Sequence, residues 1–175
     1  LDTTELDEPA CDVDDLIQNN KDIIVLTGNY FNFFGKLYNK NKLKDIEEVL
    51  NTLKLSFNNR LYIEIQRHKE DQEKNFENYL LSISKKTSIP LIASQEIYYI
   101  NQEMYDAHDA LVCIGEKNFV DDVNRFKFSN QHFFKSTEDL KVLYSDIPEA
   151  LENNYNFHLR FNFKPKKSKP ILPSI

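Results

Sequence analysis

The chain has 175 residues, 41% apolar and 29% charged, with a formal net charge of −6; this is enough for one domain with a buried core and too acidic for its whole surface to be a nucleic-acid footprint, which needs clustered Lys and Arg. No apolar run approaches the roughly 18 to 20 residues of a bilayer crossing, and the acidic start lacks the basic-then-apolar layout of a signal peptide, so a cytoplasmic protein is expected. Cys11 and Cys113 are too few and too far apart for a disulfide framework or a zinc knuckle; both are expected to be reduced, with Cys113 buried.

The first 15 residues carry seven acids and no base, and residues 1–21 read as an acidic, partly flexible lead-in. The run 22–28 has a continuous, largely β-branched character and stops at Gly28, the pattern of a strand buried on both faces. Leu43, Ile46, Val49, Leu50 and Leu53 then fall on one face of a helix. Residues 61–65 return to strand, and Phe76, Tyr79, Leu80 and Ile83 mark a second helix over 72–86. Ser88-Ile89-Pro90 breaks that pattern before a strand at 91–94. The order β, α, β, α, β predicts an α/β fold with a parallel sheet.

Met104, Ala107, His108, Leu111 and Ile114 recur at helical spacing, with Gly115 placed to end that helix in a left-handed conformation. Residues 118–131 have no period and read as a long loop. Ser136 followed by Glu138 and Asp139 predicts the capped start of a short helix containing Leu140 and Leu143. Asp146-Ile147-Pro148-Glu149 restarts a helix with Asp146 as the cap and Ile147, Leu151, Tyr155 and Leu159 as its buried stripe. From 162 the prolines at 165, 170 and 173 predict an extended linker. The resulting partition is 1–21, a body over 22–161, and 162–175. Opening on Leu1 and closing on Pro173-Ser174-Ile175, the chain reads as a piece of something longer.

The three glycines fit neither the P-loop nor the dinucleotide pattern. There is no Gly-x-Ser-x-Gly elbow and no cysteine in an activating context. The remaining chemistry belongs to the C-terminal tips of the strands, where open α/β barrels keep functional side chains: residues 27–30, 66–68 and 95–98.

At these positions the sequence resembles the polymerase and histidinol phosphatase (PHP) domain at the amino end of the bacterial DNA polymerase III alpha subunit. The resemblance runs from about Asp22 to Ile175. It is carried by Ile23-Ile24-Val25-Leu26-Thr27-Gly28, Leu61-Tyr62-Ile63-Glu64-Ile65-Gln66-Arg67-His68, Ile89-Pro90-Leu91-Ile92-Ala93-Ser94, Tyr105-Asp106-Ala107-His108 and 146–153. It implies a fragment of a distorted (β/α)7-type barrel with a helical C-terminal extension, leading through 169–173 towards the polymerase palm. Metal-binding members place a cysteine after the first strand's turn, a histidine after the Glu-x-Gln strand and an Asp-x-His pair after the third strand. The matching residues here are Asn29, His68, and Glu96 with Tyr98.

Only His68 keeps its donor type, with Glu96 a marginal second, and the family's earlier His-x-His motif would lie upstream of Leu1. Asn29 and Tyr98 are poor replacements for a thiolate and an imidazole, so no metal, no cofactor and no catalysis are expected of this piece. The intact polymerase would use magnesium to extend DNA. By resemblance the partners are the proofreading exonuclease subunit, other replicase subunits and DNA through the intact polymerase, with no membrane. A competing reading is an active metal-dependent phosphoesterase or proofreading 3'-5' exonuclease of the same superfamily; a helical adaptor that merely shares these patterns is a third.

Other candidates have simpler explanations. His68 reads as a partly exposed hydrogen-bonding residue. His108 reads as a core histidine tying helix to sheet, and His132 and His158 have no constellation around them. Asp121 and Asp122, adjacent in a polar loop, read as structural rather than as a two-metal pair. Lys164, Lys166, Lys167 and Lys169 are weak nucleic-acid candidates, predicting a modest salt-dependent DNA affinity.

Overall fold

The computed structural model describes residues 11–167. Strands β1 (Val25–Leu26), β2 (Leu61–Ile65) and β3 (Leu91–Ala93) form a parallel sheet in the order β1-β2-β3. Val25 pairs with Leu61, and Ile63 with Leu91. The helices are α1 (Val13–Gln18), α2 (Phe33–Asn39), α3 (Leu43–Phe57), α4 (Glu73–Thr87), α5 (Tyr105–Glu116), α6 (Thr137–Leu143) and α7 (Pro148–Phe157). The α/β class and the parallel sheet agree with the alternating pattern read from the sequence.

The central strand shows why. All five residues of β2 are buried, so apolar side chains on both faces, broken only by Glu64, are what a strand with neighbours on both sides requires. The predicted faces of α3 and α4 hold apart from Leu43, which is exposed, with Val49 and Tyr79 partly buried. Ile46, Leu50, Leu53 and Phe57 of α3 and Phe76, Leu80 and Ile83 of α4 are core residues. Burying such side chains contributes roughly 25 cal/mol per Å² of apolar area removed from water.

Several expectations are corrected. The first strand is two residues long and half-buried, not buried on both faces over 22–28. It lies at the sheet edge with β2 as its one neighbour, and Asp22 bends the chain with φ 61° just before it. Helix α2 was not foreseen. It is fixed by Gly35, where an added Cβ would fall 1.8 Å from the Tyr30 carbonyl oxygen. Part of the acidic lead-in is α1, whose Val13, Leu16 and Ile17 rest on the core; residues 1–10 lie outside the described part.

Helix α5 is rotated relative to the prediction. Asp109 and Cys113 face inward, whereas Leu111 and Ile114 are 64% and 76% exposed. Gly115 lies inside the helix, and Lys117 (φ 57°) makes the left-handed ending. Asp109 turns inward because it meets Arg125 in a two-pronged ion pair at 2.7 and 2.5 Å, which also anchors the irregular segment 118–131.

In α6 the Ser136 cap forms as predicted, with a reciprocal bond from Asp139. In α7 the cap is Ile147, with Pro148 in the first turn, because Asp146 is taken by Arg67 at 2.6 and 2.8 Å. Its inward stripe is Ile147 and Ala150, while Tyr155 and Leu159 point to solvent. Asn153 and Asn154 donate to the carbonyls of Leu91 and Ala93 at 2.7 and 2.6 Å, so α7 covers the open edge of β3 with side-chain donors. Beyond Arg160 the described chain is exposed and irregular, including Lys164, Lys166 and Lys167. Lys169 lies outside the described residues.

Candidate functional site

The parallel register brings the ends of the three strands to one place. Thr27 Oγ1 accepts from the Glu64 N–H at 3.0 Å, fastening β1 to β2 at the tip. The next residue, Gly28, adopts φ 78° and donates its N–H to Glu64 Oε2 at 3.0 Å. A side chain here would be strained, and its Cβ would lie 2.8 Å from Asn32 Nδ2. The turn thereby aims Asn29 across the sheet.

Asn29 Nδ2 donates to Gln66 Oε1 at 3.1 Å and to Glu96 Oε2 at 3.3 Å, joining the tips of all three strands. Gln66 passes its own amide hydrogens to Glu64 Oε1 at 3.1 Å and Ser94 Oγ at 2.9 Å. Ser94 donates to the same Glu64 oxygen. A buried carboxylate is tolerated when several donors surround it, as they do Glu64. The hollow beside Asn29 and Gln66 is about 20 Å³, room for about one water by cavity standards.

His68 is 2% exposed, not partly exposed as its sequence neighbours suggested. Its Nε2 accepts from the Glu96 N–H at 3.2 Å, so in this geometry the ring proton sits on Nδ1, which faces Glu73 at 3.6 Å. Glu73 also accepts the backbone N–H groups of His68 and Lys69. Nε2 is therefore committed, while Nδ1 only faces the Glu73 carboxylate.

His132, which the sequence left without a constellation, is the residue that was missed. It is 1% exposed and stacks on His68 with ring centroids 4.1 Å apart and planes 4° from parallel. Its Nδ1 meets the Glu96 carbonyl at 3.1 Å and its Nε2 meets Glu70 at 3.0 Å. Burial raises the pKa of Glu70, but the bonds from His132 and the Ser129 N–H outweigh it and hold the carboxyl below its usual range. Tyr98 stacks on the other side, 5.0 Å from His132 and 5.1 Å from His108. Burial, assisted by the negative charge of Glu96, pushes the Tyr98 phenol up to about 12.

All four positions named by the resemblance, Asn29, His68, Glu96 and Tyr98, thus join one contiguous cluster. His108 joins it as a half-buried ring packed on Tyr98, Tyr99 and Phe128, without a hydrogen bond to the sheet. Asp122 accepts the Phe119 N–H at 2.7 Å, a local loop role. His158 bonds its own helix at the Tyr155 carbonyl. A divalent ion needs converging lone pairs; here an amide N–H occupies the place a thiolate would take, and Nε2 of His68 spends its lone pair on a backbone N–H. Among the described residues no three His, Cys, Asp or Glu side chains are arranged to hold a metal. The donors of the described residues do not by themselves fit one.

No protein-family model matches this chain. Curated relatives do. The protein named DNA polymerase III subunit alpha from Caulobacter vibrioides is 32% identical over 174 residues, 99% of this chain and 15% of the relative. The proteins of the same name from Rickettsia bellii and Borreliella burgdorferi are 31% and 32% identical over 92% and 94% of this chain, and 14% and 15% of their own lengths. The chain therefore spans about 15% of the length of these relatives.

Proposed function

This chain is homologous to one segment of the bacterial DNA polymerase III alpha subunits, and we propose that it is a structural PHP piece of that replicative polymerase whose metal site has become a hydrogen-bonded joint. The carrying observation is the Asn29 amide. It gives its hydrogens to Gln66 and Glu96, supplying these acceptors with the partial positive charge that a metal would otherwise bring. The three parallel strands and the helices that follow them are, in this reading, part of the distorted seven-stranded barrel, extended by α6 and α7.

Template-directed synthesis with magnesium belongs, on this proposal, to parts of the subunit outside these residues, and the PHP piece supports them and docks the exonuclease subunit. Among the described residues no helix is long and apolar enough to cross a membrane, which accords with a cytoplasmic replicase. Lys164, Lys166 and Lys167 add a minor salt-dependent attraction for DNA.

The test is elemental analysis of the full-length subunit beside a variant carrying Asn29→Cys, Glu96→Asp and Tyr98→His. The unaltered subunit is expected to retain less than about half an equivalent of zinc or manganese and the variant to bind more. Equal, tight metal binding by both would favour the active phosphoesterase and sink the proposal.

A further inference from the structure

Beyond the strand tips, the surface between β3, α6 and α7 is hollow. One cavity of about 650 Å³ is lined by Ser94, Gln95, Ile97, Phe134, Lys135 and Leu140, among others. It shares Leu140, Tyr144 and Leu151 with a second hollow of about 380 Å³ that runs between α6 and α7. Together they form one groove, polar at the β3 end and apolar along the helices. Each part is in the size range of ligand sites.

At the polar end one donor lacks an acceptor and a second lacks a counter-ion. Gln95 Nε2 is buried without a hydrogen-bond partner, alone in this among the side-chain atoms of the described residues. Lys135 is 7% exposed, donates to the Gln131 carbonyl and rests 4.3 Å above the Phe133 ring. No carboxylate among the described residues lies within 4 Å of its ammonium. Asp139 and Glu73 act on it from a distance, opposed by Lys69, and burial still drives its pKa down; Glu138 lines the same hollow. A buried cation with one neutral acceptor is costly until an anion arrives.

We propose that this groove receives a segment of a partner protein that presents an apolar side chain next to a carboxylate, the apolar group between α6 and α7 and the carboxylate on Lys135 and Gln95. A protein segment fits better than a metabolite because the two hollows join into one long groove whose apolar lining stays open to solvent, with Phe134 66% and Tyr155 75% exposed, and exposed apolar surface continues beyond it at Val142, 77% exposed. The class of occupant rests on the scaffold reading above.

The probe is 3-(4-fluorophenyl)propionate, observed by fluorine line broadening on the full-length subunit, with the neutral propionamide as control. The acid is expected to bind at least about five-fold more tightly than the amide. That preference is expected to vanish in Lys135→Met, and binding of both to weaken in Phe134→Glu, an exposed position that leaves folding intact even where Lys135→Met does not. Equal binding of acid and amide, or binding unchanged in Phe134→Glu, overturns the proposal. The peptide acetyl-Ser-Leu-Phe-Asp-Leu-Ser-amide is expected to displace the acid; failure to do so assigns the groove to small acids and overturns the partner-segment reading. Metal content of the same samples is read separately, so a bound ion there sinks the metal-free joint and leaves the groove result standing.

Discussion

The two halves of the chain treat apolar periodicity differently. In α3 and α4 the apolar repeat is buried at Ile46, Leu50, Leu53, Phe76, Leu80 and Ile83, whereas Leu111 and Ile114 of α5, Tyr155 of α7 and Leu159 just past it face water. In the first half the partner surface is present in the same sequence, since α3 and α4 close on β2. In the second half the inward set is smaller and mixed: Tyr144, Ile147 and Ala150 reach the core, Asp109 is held by Arg125, and Asn153 and Asn154 bond the edge of β3. A repeat in the sequence fixes which residues share a face, and the neighbours available decide whether that face is covered.

The largest expected effect separates the halves directly. Phe57, fully buried in the core, when changed to Ala should cost about 3 to 5 kcal/mol by denaturant unfolding, from lost transfer energy and the cavity left behind. Next is Arg67, which binds Glu77, Asp146 and the Leu143 carbonyl and lies 4.9 Å over the Tyr144 ring, tying β2 and α4 to the α6–α7 turn. Arg67→Met leaves the Glu77 carboxylate, 4% exposed, without its main counter-ion. The expected loss is about 3 kcal/mol. A loss below about 1 kcal/mol would mean that the halves are stable independently and would break the comparison at its joint.

Acid should act mainly on the second half. Arg125 holds the Asp109 carboxyl below its usual range, and Arg67 does the same for Asp146. A depressed folded pKa gives stability that is complete above the ordinary carboxylate value of about 4 and is lost as pH falls through the folded value. Melting temperature should therefore hold from neutral pH to about 5 and then decline. Asp109→Asn should lower it at pH 7 and flatten the decline. An undiminished slope in that variant would assign the acid sensitivity to Asp146 and Glu70 instead.

The same contrast explains what was legible. The class, the sheet direction and the faces of α3 and α4 follow from short-range periodicity because their partners lie in neighbouring elements. The four strand-tip positions were reached by resemblance, and the parallel register puts them together. His132 was not legible, since its partners His68, Glu70 and Glu96 lie 64, 62 and 36 residues away and nothing local marks it. The cap of α7 was misread for a related reason: Asp146 has the right chemistry for a cap, but Arg67, 79 residues earlier, competes for it with two charge-assisted bonds.

The smallest predicted effect is the sharpest probe of the exposed face. Leu111→Ser and Ile114→Ser sit on α5 at positions 64% and 76% exposed, so each should change the stability of this chain by no more than about 0.5 kcal/mol, apart from a small loss of helix propensity. The measurement is chemical unfolding of the chain beside Phe57→Ala. If either serine costs more than about 2 kcal/mol, that face is covered by residues of this same chain, and the two halves then obey one rule of burial. If both are neutral here but destabilise the full-length subunit, the covering surface lies elsewhere in the polymerase, and the repeat in α5 is an interface written in the same apolar code as a core.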